Sequence, residues 1–79
     1  MTLADTRLRR NLLRELTKRP IELTLLDVKV VAAIAYLTGE IKPIRGYELN
    51  VRKEREEIEE IVRSFPGVRG VVNEIKRVL

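Results

Sequence analysis

Leucines recur at a spacing of four near the start of the chain and predict an amphipathic helix over residues 5–18. They form one apolar stripe: Leu8, Leu12, Leu13 and Leu16. Asp5 or Thr6 is expected to cap this helix. Pro20 is expected to end it, because the residue before a proline is disfavoured in the helical region.

Residues 21–41 favour strands over a helix. Apolar and polar positions alternate after Pro20, and four β-branched residues follow: Val28, Val30, Val31 and Ile34. A helix over residues 24–38 is the alternative, with Thr24 as its cap and Gly39 as its stop. Its surface would be apolar on every side, which so small a domain could hardly bury. In the favoured hairpin, Ala32 and Ala33 occupy the turn, where Asn-Gly or Asp-Gly is usual.

The rest of the chain predicts a polar connection, a second helix and a last strand. Pro43 and Gly46 break the connection, residues 42–49, and Asn50 caps the helix. One apolar face of the helix comprises Val51, Ile58, Ile61, Val62 and Phe65. On its outer face, charged pairs stand four residues apart: Arg52/Glu56, Lys53/Glu57, Arg55/Glu59 and Glu59/Arg63. Residues 68–79 alternate as a strand, so the predicted order is α-β-β-α-β in one α+β domain over residues 1–79.

Charge is concentrated in the first helix. The first 20 residues hold six basic and two acidic side chains, which accounts for the whole formal net charge of +4. On a helical wheel, four of the basic residues lie opposite the leucines: Arg7, Arg10, Arg14 and Lys18. This arrangement is typical of a solvated helix face, and the alternative is a surface that binds phosphate or an acidic partner.

The composition excludes several kinds of chemistry. The 79 residues include no cysteine and no histidine, so disulfides, Cys/His zinc sites, thiolate nucleophiles and imidazole acid–base catalysis are excluded. We therefore expect no enzymatic activity, no cofactor and no metal. The longest apolar run, residues 30–37, is far shorter than the roughly 18 residues that span a bilayer. With no signal-peptide pattern at the start, the expected location is the cytoplasm.

Two segments resemble the BON domain family. The first is Leu37-Thr38-Gly39-Glu40-Ile41, and the second runs from Phe65 to Ile75. The residues that carry the resemblance are Gly39, Pro66, Gly67, Val68, Val71 and Asn73. It covers about residues 21–78, with residues 5–18 in place of the family's leading helix. It implies a two-layer sandwich with two helices on one face of a three-stranded sheet, and a non-catalytic module that attaches to phospholipid or other surfaces.

These observations favour an interaction module that contacts phospholipid headgroups or an acidic protein through the first helix. Two alternatives stay open. The same helix could bind nucleic-acid phosphates, or the uncovered sheet face could pair two copies in a homodimer. The spacing of Gly67 and Gly70 matches the GxxG loop of KH domains, but that loop joins two helices, whereas this one lies between a helix and a strand.

Overall fold

The computed structural model describes residues 2–19, 21–43 and 50–77. Its elements in chain order are α1 (Leu3–Leu16), β1 (Ile21–Glu22), β2 (Leu26–Val31), β3 (Ile34–Pro43), α2 (Val51–Arg63) and β4 (Gly70–Arg77). The predicted α+β class is confirmed. Most of the predicted connection, with Gly46 and Tyr47, lies outside the described residues.

The sheet is built around β3. On one side β3 pairs antiparallel with β2, from Leu26 opposite Gly39 to Val31 opposite Ile34, and further along with the short β1. On the other side it pairs parallel with β4. The hairpin predicted over residues 24–38 is confirmed, and the helical alternative is wrong.

A bulge divides the first predicted strand into β1 and β2. Residues 23–25 face only Glu40 and Ile41 on β3, so one residue is in excess. The Leu25 carbonyl turns back to accept a hydrogen bond from the Glu40 N–H at 2.9 Å. This carbonyl lies against Gly39, whose φ of +95° is in the left-handed region. The sheet therefore has four strands, because β1 and β2 lie one after the other along the same side of β3. The sequence predicts three strands, with β1 and β2 as one.

The two helices cover one face of the sheet, as predicted. Alternate residues of β2 and β3 are buried beneath them, together with Leu12 and Leu16 of α1 and Ile58 and Val62 of α2. The buried strand residues are Ile21, Leu26, Val28, Val30, Ala35, Leu37, Ile41 and Ile75. The resulting two-layer arrangement leaves the other face of the sheet open, with Lys29, Tyr36 and Val72 side by side in neighbouring strands.

Both ends of α1 differ from the prediction. Thr2 is the N-cap, and its hydroxyl accepts a hydrogen bond from the Asp5 N–H at 3.1 Å. Asp5 and Thr6 therefore lie inside the helix, and the carboxylate of Asp5 is free for another role. The helix ends at Leu16, and residues 17–19 form a turn.

The predicted cap of α2 is confirmed, whereas most of its predicted ion pairs are not seen. The Asn50 side chain accepts a hydrogen bond from the Lys53 N–H at 3.2 Å. Of the four pairs predicted along the helix, the described ion pairs include only that between Arg63 and Glu59, at 3.0 Å. Glu57 instead bonds Arg19, outside its own helix.

Candidate functional site

The four predicted cationic side chains are all exposed: three lie on α1, and Lys18 lies in the turn that follows it. Arg7, Arg10, Arg14 and Lys18 are here called the basic face. Lys18 donates to Glu15 at 3.0 Å, so its charge is partly compensated. The three arginines form no ion pair with the carboxylates of the described residues. The basic face therefore presents three uncompensated guanidinium groups along α1.

Arg9 lies on the same helix, but its side chain bonds the sheet and is not part of the basic face. Its Nε donates a hydrogen bond of 2.7 Å to the carbonyl of Val28 in β2, and the residue is half-buried. The sequence offers no sign of this contact, because Arg9 differs from its neighbours only by its position on the helix. Arg9 thus fixes α1 against the edge of the sheet.

Asp5 links the start of α1 to the hairpin turn. Its carboxylate accepts hydrogen bonds from the N–H groups of Ala32 and Ala33, at 3.2 and 3.0 Å. Both alanines have φ in the left-handed region, +52° and +63°, as a type I′ turn requires. On the far side, the Ala33 carbonyl accepts from the Arg69 N–H at 2.8 Å. The hydrogen bond from Ala33 is the largest effect that lowers the pKa of Asp5, although burial of the group opposes it.

An open groove lies beside Asp5, where three segments meet. Its volume is about 480 Å³. The groove is lined by the first turns of α1, the hairpin turn and the turn after α2: Leu3, Ala4, Asp5, Arg7, Leu8, Asn11, Ala33, Pro66 and Gly67. Most of these side chains are apolar, and Arg7 is the cation among them. The groove therefore places an apolar surface next to one end of the basic face.

One largely exposed apolar side chain belongs to this surface. Leu3 is 68% exposed and lines the groove. Val31, which directly precedes the hairpin turn and is 51% exposed, lies instead on the open face of the sheet. Neither helix of the described residues has the length and apolar character needed to cross a membrane.

An ion-pair cluster fixes the segment after α1 to α2. Arg19 bonds both carboxylate oxygens of Glu54 at 2.8 Å and also bonds Glu57. The hydrogen bond to Glu54 is the largest effect that raises the pKa of Arg19. Glu54 is only 5% exposed, so this pair is structural and does not contribute to a solvent-facing site.

The residues of the predicted motif have structural roles. Pro66 and Gly67 form the turn after α2, where Gly67 has a φ of +95°, and the half-buried Val68 and Val71 pack against the core. β4 begins at Gly70, two residues later than predicted. Asn73 donates to the carbonyl of Arg55 in α2 at 3.3 Å and accepts from the Ile75 N–H at 3.1 Å.

The family model of the BON domain matches residues 48–78. This segment contains α2, the turn at Pro66 and Gly67, and β4, and over it the resemblance seen in the sequence is confirmed. Comparison with curated protein sequences gives no significant match.

Proposed function

We propose that this chain is a non-catalytic binding module for phospholipid headgroups. The match over residues 48–78 supports a BON-family assignment, on which this proposal rests. Binding or interaction is the general role of that family. The anionic headgroup is assigned to the basic face of α1, and the glycerol and first methylene groups are assigned to the adjoining groove.

The observation that carries the proposal is the row of three uncompensated arginines. Arg7, Arg10 and Arg14 lie three and four residues apart, so their Cα atoms span about 10 Å along one side of α1. A guanidinium group binds phosphate through two parallel hydrogen bonds. A row of this length can contact several headgroups of an anionic surface at once.

The groove favours a lipid over a purely polar anion. Arg7 borders a groove whose other side chains include Leu3, Leu8 and Pro66. A headgroup bound at Arg7 would therefore have apolar protein surface beside it. Leu3, which is largely exposed, would become buried at the boundary between headgroups and acyl chains, and removing its apolar surface from water would favour binding.

The test is binding to vesicles of phosphatidylglycerol and phosphatidylcholine, compared with vesicles of phosphatidylcholine alone. The test variant is the triple change Arg7→Gln, Arg10→Gln and Arg14→Gln, which keeps helix propensity nearly unchanged. Each basic residue near an anionic membrane contributes about 1 kcal/mol, so the variant should bind roughly a hundredfold more weakly. Lys18 is left intact, because it is already paired with Glu15.

The matched control removes the same charge elsewhere, by Lys29→Gln, Arg52→Gln and Lys53→Gln, three exposed positions outside α1. The control should keep most of its affinity, since only the general attraction of a cationic protein is reduced. Equal losses in the two variants, or no binding by the parent chain, would reject the proposal. Tighter binding to random-sequence duplex DNA than to anionic vesicles at physiological salt would favour the nucleic-acid alternative instead.

A further inference from the structure

The two outer edges of the sheet differ in how they are covered. Along β2, the outward carbonyl of Val28 accepts a hydrogen bond from the Arg9 side chain of α1. A strand arriving at this edge would have to displace a side chain that belongs to another element. The β2 edge is therefore obstructed at Val28.

On the β4 edge, the side chain that bonds an outward backbone group belongs to β4 itself in the part of the chain that the structure describes. There β4 pairs only with β3, and the Ile75 N–H donates to Asn73 on its own strand. This N–H therefore faces away from β3. Since the backbone groups of successive residues in a strand face opposite sides, those of Val71, Asn73 and Ile75 are directed outward. An exposed row of this kind is a template for another strand.

The sequence of β4 is complementary to itself in one antiparallel register. With Ile75 opposite Ile75 of a second copy, Glu74 stands opposite Lys76 of that copy, and Lys76 stands opposite its Glu74. Both side chains are exposed on the open face of the sheet, and neither forms an ion pair with the described residues. One two-fold axis therefore produces two cross-strand ion pairs.

We propose that two copies of this chain associate through β4, antiparallel about a two-fold axis at Ile75, which joins their sheets edge to edge. The Ile75 N–H then exchanges its bond to Asn73 for one to the Ile75 carbonyl of the second copy. Asn73 protects the edge of the single chain, so association requires its hydrogen bond with the Ile75 N–H to be given up. This interface goes beyond the proposed binding function and is distinct from the open sheet face, because it uses the backbone of one strand.

The test is sedimentation equilibrium from micromolar to millimolar concentration, with chemical shifts of backbone amides followed over the same range. The parent chain should show a monomer–dimer equilibrium, with the largest shift at Ile75. Glu74→Lys places two lysine pairs across the axis and should weaken association about tenfold. Lys76→Glu should act in the same direction. The exchanged variant, Glu74→Lys with Lys76→Glu, restores opposite charges and should restore association.

The control is Asp27→Lys, which changes the charge by the same amount at an exposed position of β2 on the same sheet face. It should leave the dissociation constant unchanged. Thermal unfolding of each variant shows whether the single chain still folds. A parent chain that stays monomeric at millimolar concentration, an exchanged variant that fails to recover, or an equal effect of Asp27→Lys would each overturn the proposal. The last result would indicate association through the open face.

Discussion

At the scale of single residues, two glycines have the same backbone angle for different reasons. Gly39 and Gly67 both have a φ of +95°, which disfavours any residue with a Cβ. A Cβ at Gly39 would lie 2.1 Å from the carbonyl oxygen of Leu25, in the backbone of the bulge. A Cβ at Gly67 would meet only the Leu8 side chain, at 3.7 Å. Glycine is therefore required at position 39 for two reasons: its positive φ, and the lack of room for a Cβ beside Leu25.

We expect Gly39→Ala to destabilise the fold by about 3 kcal/mol or more, since the backbone of the bulge must move as well as adopt the unfavourable angle. Gly67→Ala should cost only about 1 kcal/mol, the conformational part alone. Denaturant unfolding of the two variants and the parent measures both values. Equal losses would show that contact with Leu25 does not limit the substitution.

At the scale of elements, Asp5 makes the hairpin turn depend on α1. The turn has alanines at the two positions with positive φ, where glycine or asparagine would adopt the conformation more readily. The carboxylate of Asp5 accepts hydrogen bonds from both of their N–H groups. The turn conformation is thus supported from outside the hairpin, by a residue close to the start of α1.

Asp5 should therefore contribute stability that depends on pH. Its pKa in the folded chain is lowered from the ordinary value of 3.8, so the contribution is complete above pH 3.8 and is lost as the pH falls through the lowered pKa. The variant Asp5→Asn should melt at a lower temperature than the parent chain at neutral pH. The difference should shrink towards zero in strong acid, where the parent carboxyl is also protonated.

The control for this measurement is Asp27→Asn, the same substitution at an exposed position of β2. Its melting temperature should follow that of the parent chain across the pH range. If the difference between parent and Asp5→Asn stays constant down to strong acid, the carboxylate charge is not what supports the turn.

The elements themselves were largely predictable, because each depends on its own pattern of residues. Leu12 and Leu16 are buried at the predicted spacing, and the strands of the hairpin alternate as expected. The boundaries of the helices and strands were less predictable than the elements themselves. The sequence predicts Asp5 or Thr6 as the cap of α1, since both carry capping side chains, but the Asp5 side chain is bonded to a turn more than 25 residues further along the chain. Local pattern cannot reveal a hydrogen bond between distant segments.

At the scale of the whole molecule, Arg19 connects the first part of the chain to α2. It lies in the turn after α1 and bonds the carboxylates of Glu54 and Glu57. The Glu54 side chain is 7% exposed, whereas that of Arg19 is 30% exposed. Removing Arg19 alone should therefore cost more free energy of unfolding than the ion pair contributes, because the unpaired carboxylate of Glu54 would remain largely shielded from water.

We expect Arg19→Met to destabilise the fold by roughly 2 kcal/mol, less than for a fully buried pair because Arg19 is partly solvated. Removing Glu54 as well, in the double variant Arg19→Met with Glu54→Met, should recover part of this loss, since no buried charge is then left unpaired. Glu57→Gln should cost about 0.5 kcal/mol, as is usual for an exposed ion pair. Chemical unfolding of the parent chain and the three variants measures these free energies. A double variant less stable than Arg19→Met would contradict the expectation.

The candidate site was predictable only in part, for a related reason. The basic face follows from helical spacing alone, and the structure places three of its side chains on the exposed side of α1 and the fourth, Lys18, exposed in the turn that follows. The groove beside Arg7 could not be predicted, because it forms where α1, the hairpin turn and the turn at Pro66 and Gly67 meet. Arg9 shows the same limit: its contact with Val28 depends on how α1 lies against the sheet.

The parallel pairing of β3 with β4 bears on the order in which the chain can assemble. The hairpin of β2 and β3 closes through a two-residue turn, which costs little loop entropy. In contrast, Ile34 meets Gly70 and Ile41 meets Arg77 only after the chain has crossed over through α2. Contacts between such distant residues form more slowly than local ones, so we expect β3 to pair first within the hairpin and later with β4. Until β4 arrives, the same strand exposes an unpaired edge, and we expect the docking of β4 through α2 to limit the folding rate of the chain.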